Sequence, residues 1–301
     1  MGNMYVEYEY WLAAFQLFFA MLGMGATLTV GDFKDVMREP KAVTFGTMIQ
    51  LVLVPLAAFA FISLAGFTAG VAVGVALIAS IPGGTTSNIF TYMARGNIPL
   101  SISITGLTTL ACLISTPLIL GLLVTQYLPA DFVMPVGQII NDIAFTLLLP
   151  LVIGMLILRR FPKHAGWISK WSIRASLFGI LLIVVGSMSA GRLDMNAFGG
   201  QNLMLVCGFI VTLALASWVA SRLLRLSKED STAIEMEVIV RNVNLGLLIK
   251  ASMFPATADS ATSVGDMVLF TLLLYGALQM LVAALVIFMR RRGSTVTQVK
   301  T

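Results

Sequence analysis

Residues 74–97 read GVALIASIPGGTTSNIFTYMARGN, an apolar run that meets Pro82, Gly83 and Gly84 and then four polar side chains, Thr85, Thr86, Ser87 and Asn88. Proline lacks an N–H and paired glycines leave the backbone unconstrained, so a helix stops there. Residues 229–254, EDSTAIEMEVIVRNVNLGLLIKASMF, are interrupted in the same way, with Glu237, Arg241, Asn242 and Asn244 at mid-length. In a bilayer such a break is tolerated only where it is buried in protein or lines a cavity. Ionisable groups at that depth cost roughly several kcal/mol and mark an ion or substrate path. Taken singly, Pro82-Gly83-Gly84 is a kink and Glu237–Arg241 a buried i,i+4 salt bridge. Two breaks in matching positions point to a site.

Composition places both stretches in a membrane. Of 301 residues, 58% are apolar and 11% charged, whereas a soluble domain carries roughly 25% charge. Mean hydropathy is +0.94. At about 20 residues per spanning helix, the chain has room for roughly eight to ten spans. Soluble enzymes, disordered chains and disulfide-stapled secreted domains are excluded. Cys112 and Cys207 fall in apolar segments, and His164, the lone histidine, falls in the basic loop RRFPKHAGWISK. The start, MGNMYVEYEY, has no cation before its first apolar run and is not a cleaved signal peptide.

Hydropathy gives an all-α polytopic membrane protein of about nine transmembrane helices, near 10–30, 42–63, 69–94, 98–126, 136–158, 174–190, 202–222, 231–254 and 264–289. Sixteen lysines and arginines, among them Lys34, Arg38, Arg159, Arg160, Arg290 and Lys300, fall on one side, and the opposite loops carry only Arg192. This is the positive-inside pattern. It predicts a multi-pass membrane protein with the amino terminus outside and the carboxyl terminus cytoplasmic; the short loops and tails point to a bacterial cell (inner) membrane, with a eukaryotic or plastid membrane left open. The net charge of +5 therefore reports orientation, and no nucleic-acid partner is expected.

The two interrupted spans are five apart and so cross in opposite directions. A five-helix unit duplicated head-to-tail, with the opening helix of its first copy missing, gives an inverted repeat of 4 + 5 spans. In secondary transporters of this construction, two broken helices cross at the midplane and build the binding site.

Three motifs, GMGATLTVGDFKDVMREPKAV at 23–43, PGGTTSNIFTYMARGN at 82–97 and EVIVRN at 237–242, resemble the bile acid:sodium symporter family, and the likeness covers nearly the whole chain. It implies two bundles: a panel domain of spans 1, 5 and 6 (10–30 and 136–190) and a core domain of spans 2–4 and 7–9 (42–126 and 202–290). The crossover would lie at 82–91 and 237–246. Relatives often have ten helices, and this chain resembles a nine-helix form. The resemblance further implies alternating-access uptake of a small organic anion, from bile acids to carboxylates such as pantoate and pyruvate, driven by two Na+ ions.

The resemblance places a first sodium site at Ser87, Asn88, Ser101, Thr105 and Glu237. Sodium is a hard cation that prefers several oxygen ligands. Ser101 and Thr105, four apart, would share a helix face. A second site would use Gln50, Glu237, the carbonyls of Val238 and Val240, and a glutamine where this chain has Arg241. A guanidinium has five donors and no acceptor and cannot ligate a cation. A family-typical glycine is also replaced, by Ile239. Arg241 is thus expected to stand in for the second sodium as a tethered cation. Three readings stay open: one Na+ is retained; an Arg241–Glu237 pair abolishes sodium dependence and leaves a facilitator or exchanger; or Arg241 binds the substrate carboxylate.

The substrate anion is expected beside Thr85 and Asn242, where the amino termini of the broken helices converge. Tyr275 and Gln279 are read as interhelical hydrogen-bond partners. Lys250 is expected to snorkel to the interface, and Asp142 to be interfacial. An enzyme is not expected, because no paired aspartates, nucleophile with base, or metal cluster lies at depth. A channel and a non-transporting substrate receptor are the remaining rivals.

Overall fold

A backbone surrounded by lipid must satisfy its hydrogen bonds internally, and helices do so segment by segment. The computed structural model describes residues 2–29, 31, 40–84, 86–255 and 264–295, the last four by backbone alone; apart from one isolated bridge, their regular structure is helical. Thr85, Lys34, Arg38 and Lys300 lie outside the described residues. The helices are α1 (Gly2–Gly25), α2 (Pro40–Ala65), α3 (Ala69–Ser80), α4 (Ser87–Met93), α5 (Ile98–Val124) and α6 (Val136–Arg160). They continue as α7 (Pro162–Ser189), α8 (Met195–Leu223), α9 (Lys228–Ile239), α10 (Val243–Met253) and α11 (Val264–Thr295). Among the described residues, six helices are long and apolar enough to cross a membrane: α2, α5, α6, α7, α8 and α11.

Two boundaries differ from expectation. Helix α1 begins at Gly2 rather than near residue 10, so Glu9 lies inside it. Helix α7 begins at Pro162, so the expected loop around His164 is its first turns. Proline is well suited to that opening position, where its missing N–H is not needed.

Both expected interruptions are present. Helix α3 stops at Ser80 and α4 resumes at Ser87; α9 stops at Ile239 and α10 resumes at Val243. The two breaks pair with each other. The Gly84 N–H donates to the Val240 carbonyl (2.7 Å) and the Asn242 N–H to the Pro82 carbonyl (3.0 Å), an antiparallel bridge centred on Gly83 and Arg241. Each break thus satisfies the backbone groups that the other leaves open. Every residue from Gly70 to Ser80 and from Ser231 to Ile239 is buried, which puts these short helices at the centre of the molecule.

Helices α1, α6 and α7 pack on one another through glycines. A Cβ on Gly154 would lie 2.5 Å from the Leu22 carbonyl oxygen, and one on Gly186 would lie 2.5 Å from the Tyr5 ring. Small residues let helices approach closely where lipid supplies no hydrophobic drive. Helices α3, α10 and α11 make a second such group, with Gly74 against Thr271 and Gly246 against Leu272.

Candidate functional site

The site is built around one carboxylate. Glu237 lies in the last turn of α9 and is fully buried (0% exposed). Ser87, in the first turn of α4, donates its hydroxyl to Glu237 Oε1. From α5, Ser101 donates to Oε1 at 2.6 Å and Thr105 lies 2.8 Å from both carboxylate oxygens. Asn88 completes the group, its Oδ1 lying 2.8 Å from Ser101 Oγ and 3.5 Å from Thr105 Oγ1. All five residues expected at the first cation site therefore converge, because the break before α4 aims its first turn at α9. Each hydroxyl that gives its hydrogen to the carboxylate keeps lone pairs for a cation, so the donor set is oxygen only and suits a hard monovalent ion.

Gly83 makes room for this carboxylate. A Cβ there would lie 2.3 Å from Glu237 Oε2. Gly83→Ala is expected to push the carboxylate off its hydroxyls and would weaken the binding of a cation held there about tenfold, a loss of roughly 1.4 kcal/mol. Gly137→Ala, where nothing lies within 4 Å, is the matched control. Sodium titrations of thermal stability on both variants decide it, and equal sodium responses would count against the crowding argument.

Gln50 sits in a π-helical turn, Ile49–Leu53, within α2. Pro55 follows at the start of the next regular turn and withholds one N–H. The wide turn carries Gln50 to the crossing point: its Nε2 donates to Glu237 Oε2 at 3.2 Å, and its Oε1 accepts from the Gly83 N–H at 3.1 Å and from Arg241 Nη1 at 3.0 Å. The amide thus links carboxylate to guanidinium. Arg241 is 2% exposed, and its other donors go to the α3 end, with Nε and Nη2 bonding the carbonyls of Ile78 and Ala79 at 3.2 Å and Nη2 also that of Ile81. The guanidinium forms no ion pair with Glu237, and its partners are carbonyl dipoles and the Gln50 amide.

Of the other residues expected at a second cation site, Val240 already uses its carbonyl for Gly84, and Val238 lies in the final turn of α9. Tyr275 donates its hydroxyl to the Ile239 carbonyl (2.8 Å), and Gln279 accepts from the Arg241 N–H (2.9 Å). The first is an interhelical hydrogen bond, and the second joins α11 to the break between α9 and α10.

Asn242 caps α10, its Oδ1 accepting from the Leu245 N–H at 3.3 Å. It lines a cavity of about 140 Å³ with Thr86, Arg241, Asn244, Gln279 and, from α7, Ser176. Thr85, the other expected substrate contact, lies outside the described residues.

Two expectations are corrected. Lys250 does not snorkel; it is 0% exposed and donates to Glu9 Oε1 at 2.6 Å. Asp142 is not interfacial; it is 4% exposed and accepts from Tyr10 (2.7 Å) and from the Ser252 hydroxyl. In both cases α1 supplies a partner that hydropathy does not reveal. Sequence reasoning also missed Thr91, whose hydroxyl donates to Ser101 Oγ at 3.2 Å behind the carboxylate cluster. Its spacing from Ser87, i to i+4 on one helix face, was the available signal.

A model of the sodium bile acid symporter family matches residues 14–196. The chain is 30% identical over 247 residues to a Bacillus subtilis protein named as an uncharacterized sodium-dependent transporter, YocS, covering 81% of this chain and 76% of that one. It is 31% identical over 241 residues to the probable chloroplastic sodium/metabolite cotransporter BASS1 of Arabidopsis thaliana, covering 79% of this chain and 59% of that longer protein. It is 29% identical over 289 residues to a sodium-dependent organic anion transporter of Bos taurus, covering 93% and 74%. With the family model matching more than half of its length, this chain belongs to the sodium bile acid symporter family, whose members are transporters and not enzymes.

Proposed function

We propose that the protein is a sodium-coupled carrier of a small organic anion, working by alternating access, with one Na+ bound per turnover and the second replaced by Arg241. The observation that carries this is a fully buried carboxylate held by three hydroxyls, with its nearest cationic side chain directed elsewhere. A buried charge is costly unless paired. The guanidinium of Arg241 is committed to three carbonyls and Gln50, which favours retention of one sodium over a tight Arg241–Glu237 pair. Arg241 also lines the cavity beside Asn242, which supports a second reading in which it meets the substrate carboxylate. The ion would sit among Ser87, Asn88, Ser101, Thr105 and Glu237.

The anion would bind in the cavity of Asn242, Thr86 and Asn244, next to the amino terminus of α10. Its volume of about 140 Å³ is below the roughly 300–1,000 Å³ of pockets for drug-sized ligands and favours a small carboxylate over a steroid. Helices α1, α6 and α7 would form the panel, and the remaining helices the core, in nine crossings related as a 4 + 5 inverted repeat. The amino terminus would face outward from an inner membrane.

The test is the thermal stability of purified protein titrated with sodium chloride against potassium chloride at equal ionic strength. An ion that binds only the folded state stabilises it by about 2.7 kcal/mol at a hundredfold its Kd. A saturable, sodium-specific rise fitting one site is expected. Equal curves in the two salts would overturn the coupling, and anion binding without counterflow in proteoliposomes would make the protein a receptor.

A further inference from the structure

At the end of the bundle near the amino terminus, four charged side chains meet out of contact with solvent. Lys250, in the last turn of α10, bonds Glu9 of α1 at 2.6 Å. Arg192, in the connection between α7 and α8, lies 3.8 Å from Glu9 Oε2 and 3.1 Å from Asp266 of α11. All four residues are at most 7% exposed. None takes part in the carboxylate cluster around Glu237.

We infer that this cluster is a latch, closing the amino-terminal end of the carrier by holding α10 against α1 and releasing it when that end opens. The inference rests on the alternating-access reading above. It is carried by a contrast between two kinds of helix contact.

Within the α1–α6–α7 group the closest contacts are glycine-lined, as Gly154 and Gly186 show, beside polar links from Tyr10 to Asp142 and from Ser169 to the Gly23 carbonyl. Such surfaces lose their packing if they part. Between that group and α10, in contrast, the named links are polar. Glu9 meets Lys250, Asp142 meets Ser252, and Gln16 Nε2 donates to the Asn244 carbonyl at 2.9 Å. Groups of this kind exchange each other for water when the helices separate, so this seam is the one that opens at least cost.

The register supports a single joint. Glu9 to Gln16 rises about 10 Å along α1, and Asn244 to Lys250 about 9 Å along α10, at 1.5 Å per residue. The two helices therefore run antiparallel with a polar link at each end of a short shared face. Ala13, four residues after Glu9, lies between those links and is 2% exposed. Helix α10 starts at the crossing point, where the Asn242 N–H bonds the Pro82 carbonyl next to Gly83 and Glu237, so a movement of α10 is transmitted toward the carboxylate site. A cation in the last turn of a helix also suits the helix dipole, so Lys250 is well placed to hold α10.

The test places a cysteine at Ala13 in a background lacking Cys112 and Cys207, in lipid nanodiscs, and measures its rate of reaction with a charged maleimide. With Lys250 in place, the reaction is expected to be slow. Lys250→Met and Glu9→Gln are each expected to raise the rate at least tenfold, and Lys250→Arg, which keeps the cation, to leave it slow. Two neutralising variants are used so that a folding failure in one leaves the other to decide. Unchanged rates in the neutralising variants would overturn the latch, and so would fast labelling in Lys250→Arg, since packing and not charge would then close the seam. Sodium-specific stabilisation measured on the same samples separates the two ideas. Unchanged labelling with that stabilisation intact removes only the latch. Fast labelling confined to the neutralising variants, with no sodium-specific stabilisation of the parent, leaves the latch and removes sodium coupling.

Discussion

Glu237→Gln is expected to abolish the sodium-specific rise in stability and to lower sodium-driven uptake by about two orders of magnitude or more. Glutamine keeps the volume of the side chain, so the packing around α9 stays intact. What it removes is the only formal negative charge among the five convergent residues, and it turns one acceptor into a donor. Ser87, Ser101 and Thr105 now give their hydrogens to the carboxylate. Facing an amide, some would have to rotate and would spend on the side chain the lone pairs a cation needs. A hundredfold loss of affinity corresponds to roughly 2.7 kcal/mol, within the range of one or two charge-assisted hydrogen bonds. The stability of the variant in potassium is expected to match or exceed that of the parent, because a buried charge has been removed. A variant that still responds to sodium as the parent does would show that the ion binds elsewhere.

Arg241→Gln is expected to act in the opposite sense and to create a second sodium dependence. In potassium the variant should be less stable than the parent by about 1–3 kcal/mol, the usual cost of leaving buried acceptors without their donor. The carbonyls of Ile78, Ala79 and Ile81 and one face of Gln50 lose their donor. Those same oxygens, with the new amide, make a set that a hard cation can use, so sodium should recover much of the lost stability. Uptake against sodium concentration should change from hyperbolic to sigmoidal. Arg241→Lys separates charge from shape: an ammonium restores the positive charge but cannot span the same four acceptors, so it should be intermediate in stability and should not gain sigmoidal uptake. A sodium response identical to that of the parent in Arg241→Gln would remove the idea that the guanidinium takes the place of an ion.

These two expectations rest on features with different visibility in the sequence. The break at Pro82-Gly83-Gly84 was legible because proline and glycine punctuate helices by local sterics alone, and the one around Arg241 because charged and polar residues interrupt an apolar run at mid-length. The convergence of Ser87, Asn88, Ser101, Thr105 and Glu237 was legible only through family resemblance, since nothing local places α4, α5 and α9 side by side. Gln50 was named in the same way, but the π-turn that aims it, just ahead of Pro55, was not anticipated. A second π-turn, Ile143–Leu148 in α6, stands before Pro150 in the same relation. A proline a few residues after a polar side chain in an apolar helix is a signal that could have been used.

Lys250 and Asp142 mark the opposite limit. Both were read as reaching for the interface, the ordinary fate of a lone charge near the end of a span. Their partners, Glu9 and the Tyr10–Ser252 pair, are 241, 132 and 110 residues away in sequence. The same cluster accounts for Arg192, the one loop cation on the opposite side of the charge count. It is buried against Glu9 and Asp266 and is not a free loop charge.

Composition alone determined that this chain lives in a bilayer as helices, because 11% charge cannot cover a water-facing surface and a lipid-facing backbone must bond to itself. Local chemistry alone determined where two of those helices stop. The tertiary structure decided which partner each buried charge has: Arg241 on carbonyls and Gln50 rather than on Glu237, and Lys250 on Glu9 rather than in the headgroups. Pairing of buried charges depends on ångström distances between segments far apart in the chain, and helical periodicity carries information over only a few turns.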